Sequence, residues 1–440
     1  MRAITPSATG PSETGTRSYI DVPRLGWYIA LPCLAILLTV FHRLATGVWW
    51  LADPVRMADF VAGAPFQYRV LLPAIVAGIT DVAPWLGVNV VFTFLEVATW
   101  ILLIVAAHRV LAALDIGGSD FVRRLLAITI VVPVALHVIV PDLRFQSTYL
   151  VDSGVHLLGE WRLVALFRYV YDVPAALLTL ALALFLIRFI QNPAPHRFAA
   201  YLGVLALAAM NRETAVFMIP ASIAACWGVL DRRTLVLALI AQLVVFAAVH
   251  GGVKWVFPGI PNPHANVGAT QYENHLVHNL GHFSSPLYAI TYFARFSAGF
   301  YLPVLLLYRY LDPALGRMLI CFAVPFLASA AYFGRLVEQR VVVEVVPLLW
   351  LCAMQAVWAY SRAQARAAEA IPVRYPQDLP QRPDPIGDDG VAVVRTDADW
   401  LRISAAHERV SGDGHERHPV QDDTPPSWNR RREAGHPEVL

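Results

Sequence analysis

A charged tetrad, Asn211-Arg212-Glu213-Thr214, interrupts the otherwise apolar run 198–230. An ionised side chain at membrane depth costs about 2.5–3.5 kcal/mol, so such groups are kept where they face water, a partner or a substrate. The planar guanidinium of Arg212 suits a phosphate or carboxylate, and Glu213 can neutralise it or act on a substrate. The alternative is a solvated turn after Asn211, although plain turns more often use glycine, proline or Asn-Gly.

Two aspartates follow the first apolar segment closely, in the sequence WWLADPVRMADFVAGAPFQYRVLLP. A carboxylate fixed just outside a membrane can act as a general base toward a sugar or lipid hydroxyl, so Asp53 and Asp59 are catalytic candidates. Tyr68 and Arg69 in the same stretch are candidates for binding the substrate. For Asp53 the alternative is a helix cap ahead of Pro54, where the carboxylate accepts backbone N–H groups.

A third aspartate stands at the start of an apolar segment, in Tyr171-Asp172-Val173-Pro174. Asp172 is a further catalytic candidate, with Arg162 and Arg168 close enough in the chain to pair with it. The alternative is a helix start, for which an aspartate in this position is typical.

The sequence GRLVEQRVVVEVVP carries Arg335, Glu338, Arg340 and Glu344 at helical spacing. Arg335 and Arg340 can hold a phosphate, and Glu338 completes this candidate substrate-binding group. The alternative is an internal ion pair, because Arg340 and Glu344 stand four residues apart. Glu344 lies among valines and is predicted to face the bundle interior or a cavity.

Three histidines occur in ENHLVHNLGH. In a helix His275, His278 and His282 lie on one face, and with Glu273 they form a candidate site for a divalent metal. The alternative is an ordinary polar face, since usual metal motifs are tighter. The cofactor is otherwise unknown. Glu96 and His137, alone inside apolar segments, are either satisfied core residues or part of a proton relay.

Long apolar segments must position these residues. The chain is 57% hydrophobic and 15% charged, against about 25% charged in soluble domains. Apolar stretches recur at lengths that suit a bilayer, which predicts an all-α, polytopic transmembrane bundle of about ten spans. Residues 70–82 are an interfacial or re-entrant helix, or a short additional span. The candidate spans are 27–42, 85–107, 125–141, 173–190, 198–210, 215–230, 234–256, 298–311, 317–333 and 341–360.

Basic residues are dense in one alternating set of connections, and this density predicts the orientation. The set is cytoplasmic by this rule, so the protein is expected in the inner (plasma) membrane with both termini cytoplasmic and the tetrad at an outward-facing hairpin tip. The basic residues of this set are Arg109, Arg123, Arg124, Arg188, Arg197, Arg232, Arg233, Arg309 and Arg317.

The chain divides by composition into three parts. Residues 1–26 form a cytoplasmic segment, 27–360 a transmembrane domain, and 361–440 a tail whose proline, arginine, aspartate and glycine content predicts disorder. A docking segment for another protein is the alternative for the tail. The basic residues lie in short loops and the tail, so membrane lipid is an expected partner and nucleic acid is not.

Three patches carry a resemblance that covers residues 27–360. They are Pro65 to Leu71, the 211–214 tetrad followed by Pro220, and Gly334 to Pro347. Together with the acidic first loop and the predicted bundle, they are similar to segments of bacterial membrane proteins near the GT-C superfamily of membrane glycosyltransferases. The resemblance implies transfer of a sugar from a polyprenyl-phosphate carrier to a glycan, lipid or protein acceptor on the outer face, usually with inversion.

In that family an acidic residue after the first span acts in catalysis, which corresponds to Asp53 or Asp59. The chain departs from the pattern because it has no tight Asp-Asp or Asp-Glu pair there, and no large extracytoplasmic domain is evident. The physical logic of a lipid-phosphate donor agrees with the resemblance: a guanidinium at headgroup depth stabilises the departing phosphate. A transporter or flippase, and a polymerase or ligase of lipid-linked glycans, are the alternatives. The candidates for that guanidinium are Arg69, Arg212, Arg335 and Arg340.

Overall fold

The computed structural model describes residues 22–48, 52–63, 66–139, 155–156, 162–163, 166–257, 275–284, 286–333, 336 and 339–369. This part of the chain is all-α apart from two short ladders. The α-helices are α1 (Val22–Ala45), α2 (Pro54–Ala58), α3 (Leu71–Val82), α4 (Val88–Ala113), α5 (Asp120–Ile128), α6 (Val131–Val138), α7 (Asp172–Gln191), α8 (Pro195–Asn211), α9 (Met218–Cys226), α10 (Arg232–Val256), α11 (His275–Phe283), α12 (Pro286–Arg295), α13 (Tyr301–Leu306), α14 (Pro313–Phe333) and α15 (Val346–Glu369).

Short strands and 3-10 helices complete the elements. Strand β1 (Thr46–Val48) pairs in parallel with β4 (Leu166–Arg168), and β2 (Val155–His156) pairs antiparallel with β3 (Arg162–Leu163). The β1–β4 pairing holds the end of α1 beside the chain that leads into α7. The 3-10 helices are Phe66–Tyr68, Glu213–Phe217, Phe296–Gly299, Tyr308–Tyr310 and Gln339–Val342.

Six helical segments are long and apolar enough to cross a membrane. Large apolar side chains such as Leu37, Val244 and Ile320 point outward from them, an arrangement that is costly in water and suits a bilayer. The architecture of a helical membrane protein is thereby supported, but a count of about ten spans is not confirmed. The six segments are Leu25–Ala45, Val88–Ala113, Asp120–Val138, Asp172–Gln191, Arg232–Val256 and Pro313–Phe333.

The predicted span 298–311 is not one continuous helix. Ser297 and Ala298 adopt positive φ values of 51° and 53°, a left-handed conformation that ends a right-handed helix. Short helical pieces follow it, up to Tyr310. Helix α3, whose role the sequence left open, has 12 residues and is therefore about 18 Å long, too short to cross a core of about 30 Å.

Local sequence explains where several helices begin. Asp53 precedes α2 and accepts from the backbone N–H groups of Val55 and Arg56, with Pro54 in the first turn. Asp231 begins α10 in the same way: bonds from the hydroxyl and the N–H of Thr234 hold the pKa of Asp231 below its usual range. Such caps satisfy backbone donors that a helix end otherwise leaves free.

Helix α7 is the most buried of the six candidate spans and packs between α4 and α8. The first residue of α7 lies beside the last of α8, because Asn211 Nδ2 donates to the carbonyl oxygen of Tyr171 at 3.1 Å. The other ends of these two helices lie about 28 Å away, at 1.5 Å per residue over 20 residues. The bundle therefore has two distinct ends along α7.

The chain divides by its contacts into residues 1–362 and 363–440. Of the second unit the structure describes only residues 363–369, which are the last turns of α15. The predicted tail 361–440 thus lies almost wholly outside the described residues, as do residues 1–21 of the predicted N-terminal segment.

Candidate functional site

The tetrad lies in a buried break between helices. Arg212 Nη1 is 2.9 Å from Glu344 Oε1 and 3.8 Å from Asp172 Oδ1, and the angles make the shorter contact an ion pair without an aligned hydrogen bond. Thr214 Oγ1 donates to the Glu344 carboxylate at 2.8 Å. Each of the three charged residues is less than a tenth exposed. The solvated-turn alternative is therefore wrong for Arg212, although Asn211 ends α8 and the Glu213 side chain is partly exposed. The predicted interior position of Glu344 is confirmed.

Arg340 joins the same cluster from the segment before α15. Its Nη1 is 3.9 Å from Asp172 Oδ2, and its Cζ lies 3.5 Å from the ring centroid of Tyr169. The sequence placed Arg340 and Glu344 on one α-helix. That is wrong, because Gln339–Val342 is a 3-10 helix and Glu344 lies in the turn after it.

The partners of Asp172 also differ from the expected ones. Among the described residues Asp172 pairs with Arg212 and Arg340, whereas Arg168 lies in strand β4 near the end of α1. The side chain of Arg162, the other expected partner, is outside the described residues.

Arg69 extends the cluster toward solvent. Its Nη2 is 3.8 Å from Glu213 Oε1, and its Cζ lies 4.0 Å from the ring centroid of Tyr171. The Glu213 side chain is 44% exposed, while that of Arg69 is 9% exposed. The Nε atoms of Arg69 and Arg212 are buried and have no hydrogen-bond partner among the described residues. Both guanidinium groups therefore keep donor capacity.

Lys254, which the sequence reasoning missed, stands next to Tyr68. Its Nζ is 5.9 Å from the Tyr68 ring centroid, and the Gln67 side chain donates to the carbonyl oxygen of Phe257 at 3.2 Å. The loop that begins with Asp53 thus lies against the end of α10. One signal could have identified Lys254: it is the only lysine among the 34 lysine and arginine residues.

A second charged group lies between α1 and α4. His42 Nδ1 is 2.6 Å from one oxygen of Glu96, and Arg43 Nε is 3.4 Å from the other. Burial, with the nearby charge of Arg43, holds the pKa of Arg168 below its usual range, and Glu96 opposes this. Glu96 is therefore paired rather than isolated. His137, by contrast, contacts the carbonyl oxygen of Pro133 in its own helix at 2.7 Å.

Asp53 and Asp59 flank the short helix α2, which packs through Met57 in one apolar cluster with Tyr169 and Tyr171. The capping alternative for Asp53 is confirmed, and Asp59 is exposed at the other end of α2. Among the described residues neither aspartate forms an ion pair with the cluster. Helix α2 contacts Tyr169 and Tyr171, which pack against the arginines of the cluster, and the two aspartates stand at the ends of that helix.

Access divides the cluster into two parts. A cavity of about 10 Å³ lies between α7, α8 and α14, next to Arg212 and Glu344, and it has room for roughly one water molecule. A substrate headgroup does not fit there. The side of the cluster that reaches solvent is formed by Glu213 and Lys254, with the buried Arg69 behind Glu213. These groups can bind an anion and accept a proton.

Some predicted residues cannot be placed. Arg335 and Glu338 lie outside the described residues. The backbone of His275–Phe283 is helical, as the metal hypothesis requires, but the side chains of His275, His278 and His282 are not among those the structure describes. Within the described part of the chain, no three metal-binding side chains come together. The metal hypothesis stays a prediction.

Comparisons with known protein families, with characterised proteins and with solved structures give no match. Function must therefore be inferred from the chemistry of these residues.

Proposed function

We propose that the chain is a membrane glycosyltransferase, which moves a sugar from a polyprenyl-phosphate donor to an acceptor hydroxyl on the extracytoplasmic face of the plasma (inner) membrane. The acceptor is a glycan, lipid or protein. One observation carries the proposal: Arg69 pairs with a part-exposed carboxylate, Glu213, and a second cation, Lys254, lies beside the neighbouring Tyr68, at one end of an apolar bundle. The resemblance to the GT-C superfamily implies the same chemistry.

The donor phosphate is assigned to Arg69 and Lys254. As the bond from the sugar C1 to the phosphate oxygen breaks, that oxygen gains negative charge, which a fixed cation stabilises. Arg69 is held against the face of the Tyr171 ring, and its guanidinium pairs with Glu213 at the part-exposed side of the cluster. The polyprenyl tail has an apolar path along α10, where Ile240 and Val244 are exposed. Helix α10 is the least buried of the six candidate spans.

Glu213 is assigned as the general base. It takes the proton from the acceptor hydroxyl while the acceptor oxygen bonds to C1 and polyprenyl phosphate leaves with the electron pair. Asp172 is enclosed by Arg212 and Arg340, so it cannot meet an acceptor. Asp53 holds α2 through its cap. This favours Glu213 over the other carboxylates.

The buried cluster gives Glu213 its position. Thr214, the next residue, donates to Glu344, and Arg212, the preceding residue, pairs with Glu344 as well. Glu213 is thus held between two anchored neighbours, which limits how far its carboxylate can move. Preorganisation of this kind is what a proton acceptor in group transfer requires.

The proposed orientation places the site outside and both termini in the cytoplasm. The arginines at the other end of the bundle follow the positive-inside rule. Both termini lie on one side only if the number of crossings is even. The proposal therefore adds four crossings to the six long spans: α8, the helical segment Glu213–Cys226, the helical pieces between residues 296 and 310, and α15.

Lys254 tests this orientation directly, because it is the only lysine in the chain. A membrane-impermeant amine reagent added to intact spheroplasts is expected to modify Lys254, which is exposed at the end of α10. Mass spectrometry of the peptide that contains residue 254 measures the modification, and Lys254→Arg serves as the negative control. Modification of Lys254 only after lysis would place this end of the bundle in the cytoplasm. Arg69 and Lys254 could then not bind a donor on the extracytoplasmic face.

Deletion of the gene tests the function. We expect one sugar linkage to disappear from the surface glycan and its lipid-linked donor to accumulate, with restoration by the wild-type gene. Asp53→Asn is expected to restore function and Asp53→Ala to do so less well, since asparagine caps a helix as well as aspartate does. Unchanged glycans and lipid-linked sugars would disprove the proposal. Accumulation of a lipid-linked glycan chain would instead indicate a polymerase or ligase.

A transporter or flippase is the rival class, and the Glu96–His42 pair between α1 and α4 is the feature that favours it. Transport sites gather near the membrane midplane. Glu96 lies about 12 Å from the start of α4, and His42 is near the end of α1. These charges belong to the same end of the bundle as Arg69 and Glu213, which favours a surface reaction over passage.

A further inference from the structure

The opposite end of the bundle carries a second polar cavity. It has a volume of about 590 Å³ and lies between the last turns of α4 and α7 and the first turn of α8. Four basic side chains line it: Arg109, Arg188, His196 and Arg197. The cavity is about 28 Å from the candidate active site along α7, and it is large enough to hold a headgroup.

The positive charge of this cavity is not neutralised from within the described residues. No carboxylate lines it or pairs with its arginines there. The aspartates of the neighbouring α4–α5 region are already engaged: Asp115 pairs with Arg123 and Arg362, and Asp120 pairs with Arg124. A cavity with at least three uncompensated positive charges attracts an anion.

Fixed contacts hold the walls of the cavity in place. Arg197 Nη1 donates to the carbonyl oxygen of Arg188 at 3.0 Å, and Gln191 Nε2 donates to the carbonyl oxygen of Ala113. These bonds connect α7 to α8 and to α4. The cavity is a built feature rather than a gap between loose side chains.

The walls continue into apolar surface toward the middle of the bundle. Leu102 lies two helical turns from Arg109 on the same face of α4, and Leu207 lies two turns from Ala200 on the same face of α8. They are 52% and 44% exposed. A basic cavity above two exposed apolar faces suits a molecule with a phosphate at one end and acyl chains at the other.

We propose that this cavity binds the phosphate group of an anionic phospholipid from the leaflet opposite the active site. Arg109 and Arg188 contact the phosphate, Arg197 holds the α7–α8 connection and adds charge, and the acyl chains lie along Leu102 and Leu207. Basic pockets between helices on the cytoplasmic side are suited to such headgroups. The site does not depend on the proposed transferase activity.

The test compares two triple variants with equal charge change. Arg109→Gln/Arg188→Gln/Arg197→Gln alters the cavity, and Arg232→Gln/Arg233→Gln/Arg309→Gln removes exposed arginines outside it. Each protein is purified in detergent and titrated with phosphatidylglycerol or phosphatidylcholine, and native mass spectrometry counts the bound lipids. The double variant Arg109→Gln/Arg188→Gln, which keeps the Arg197 bond, replaces the triple variant if that fails to fold.

We expect the wild-type protein to prefer phosphatidylglycerol, and the cavity variant to lose on the order of 100-fold in affinity, at about 1 kcal/mol per arginine. The control triple should bind like the wild type. Competition by inorganic phosphate or glycerol phosphate at millimolar concentration would show that the cavity also takes a free phosphate. Equal phosphatidylglycerol binding by the cavity variant and the control, with both folded, would overturn the proposal.

Discussion

Replacing Arg212 with methionine is expected to lower the free energy of unfolding by about 3–5 kcal/mol, because it leaves buried carboxylates without their partner. Arg212 is 6% exposed and lies between Glu344 and Asp172. Thr214 gives Glu344 only a neutral hydrogen bond, and Arg340 pairs with Asp172, so neither supplies the positive charge that Glu344 loses. The midpoint of thermal unfolding in detergent measures the effect, and Arg233→Met, at an exposed position, should change it little.

A double variant separates the lost pair from lost packing. Arg212→Met/Glu344→Met removes both charges and fills the space with side chains of similar length. Replacement of a whole buried ion pair by apolar residues is often neutral, so the double variant should regain at least half of the stability that Arg212→Met loses. If the double variant is less stable than the single one, Arg212 and Glu344 are not coupled in the folded protein.

This cluster shows what the sequence could predict. The cost of burying a charge singled out the tetrad and Glu344 without any structure, because such residues need partners wherever they lie. The same reasoning placed the long apolar helices, and six of them are present at lengths that span a bilayer. A charged residue inside an apolar run can be recognised from the sequence alone, because the run and the charge are adjacent in the chain.

The identity of the partners could not be predicted. Thr214 and Glu344 are 130 residues apart, and only the packing of α7, α8 and the segment before α15 brings them together. The predicted pair of Arg340 with Glu344 assumed an α-helical register, which the 3-10 helix Gln339–Val342 removes. The predicted span 298–311 is not one helix for a similar reason, since nothing in its composition indicates the left-handed Ala298 or the end of α13 at Leu306.

Lys254 escaped for a different reason. Lys254 falls inside the predicted span 234–256, so the charge of the connections, which predicts the orientation, does not include it. Its significance comes from the loop of Gln67 and Tyr68, which is folded against the end of α10. Asp53 and Asp59 are candidates from the sequence because they closely follow the first span, yet the part-exposed carboxylate that pairs with Arg69 is Glu213.

Glu213→Gln is expected to reduce kcat by about 10²–10⁴-fold in the transferase reaction, because the amide cannot accept the acceptor's proton. The donor for the assay is the lipid-linked sugar that accumulates in the deletion strain. The wild-type rate should fall as the pH is lowered and Glu213 becomes protonated. The residual activity of Glu213→Gln should lack that acid limb. Asp81→Asn, which alters an exposed carboxylate at the end of α3, is the matched control.

Arg69→Gln should slow the departure of the donor phosphate rather than the removal of the acceptor's proton. If the guanidinium stabilises the departing phosphate, its loss lowers kcat by about 10²–10³-fold, and Arg69→Lys restores only part of it, since lysine lacks the planar fork. The acid limb of the pH profile must remain in Arg69→Gln, because the base is intact. A profile in which both variants lose the limb would mean that the Arg69–Glu213 pair, 3.8 Å apart, holds the site together and that neither residue has a separate role.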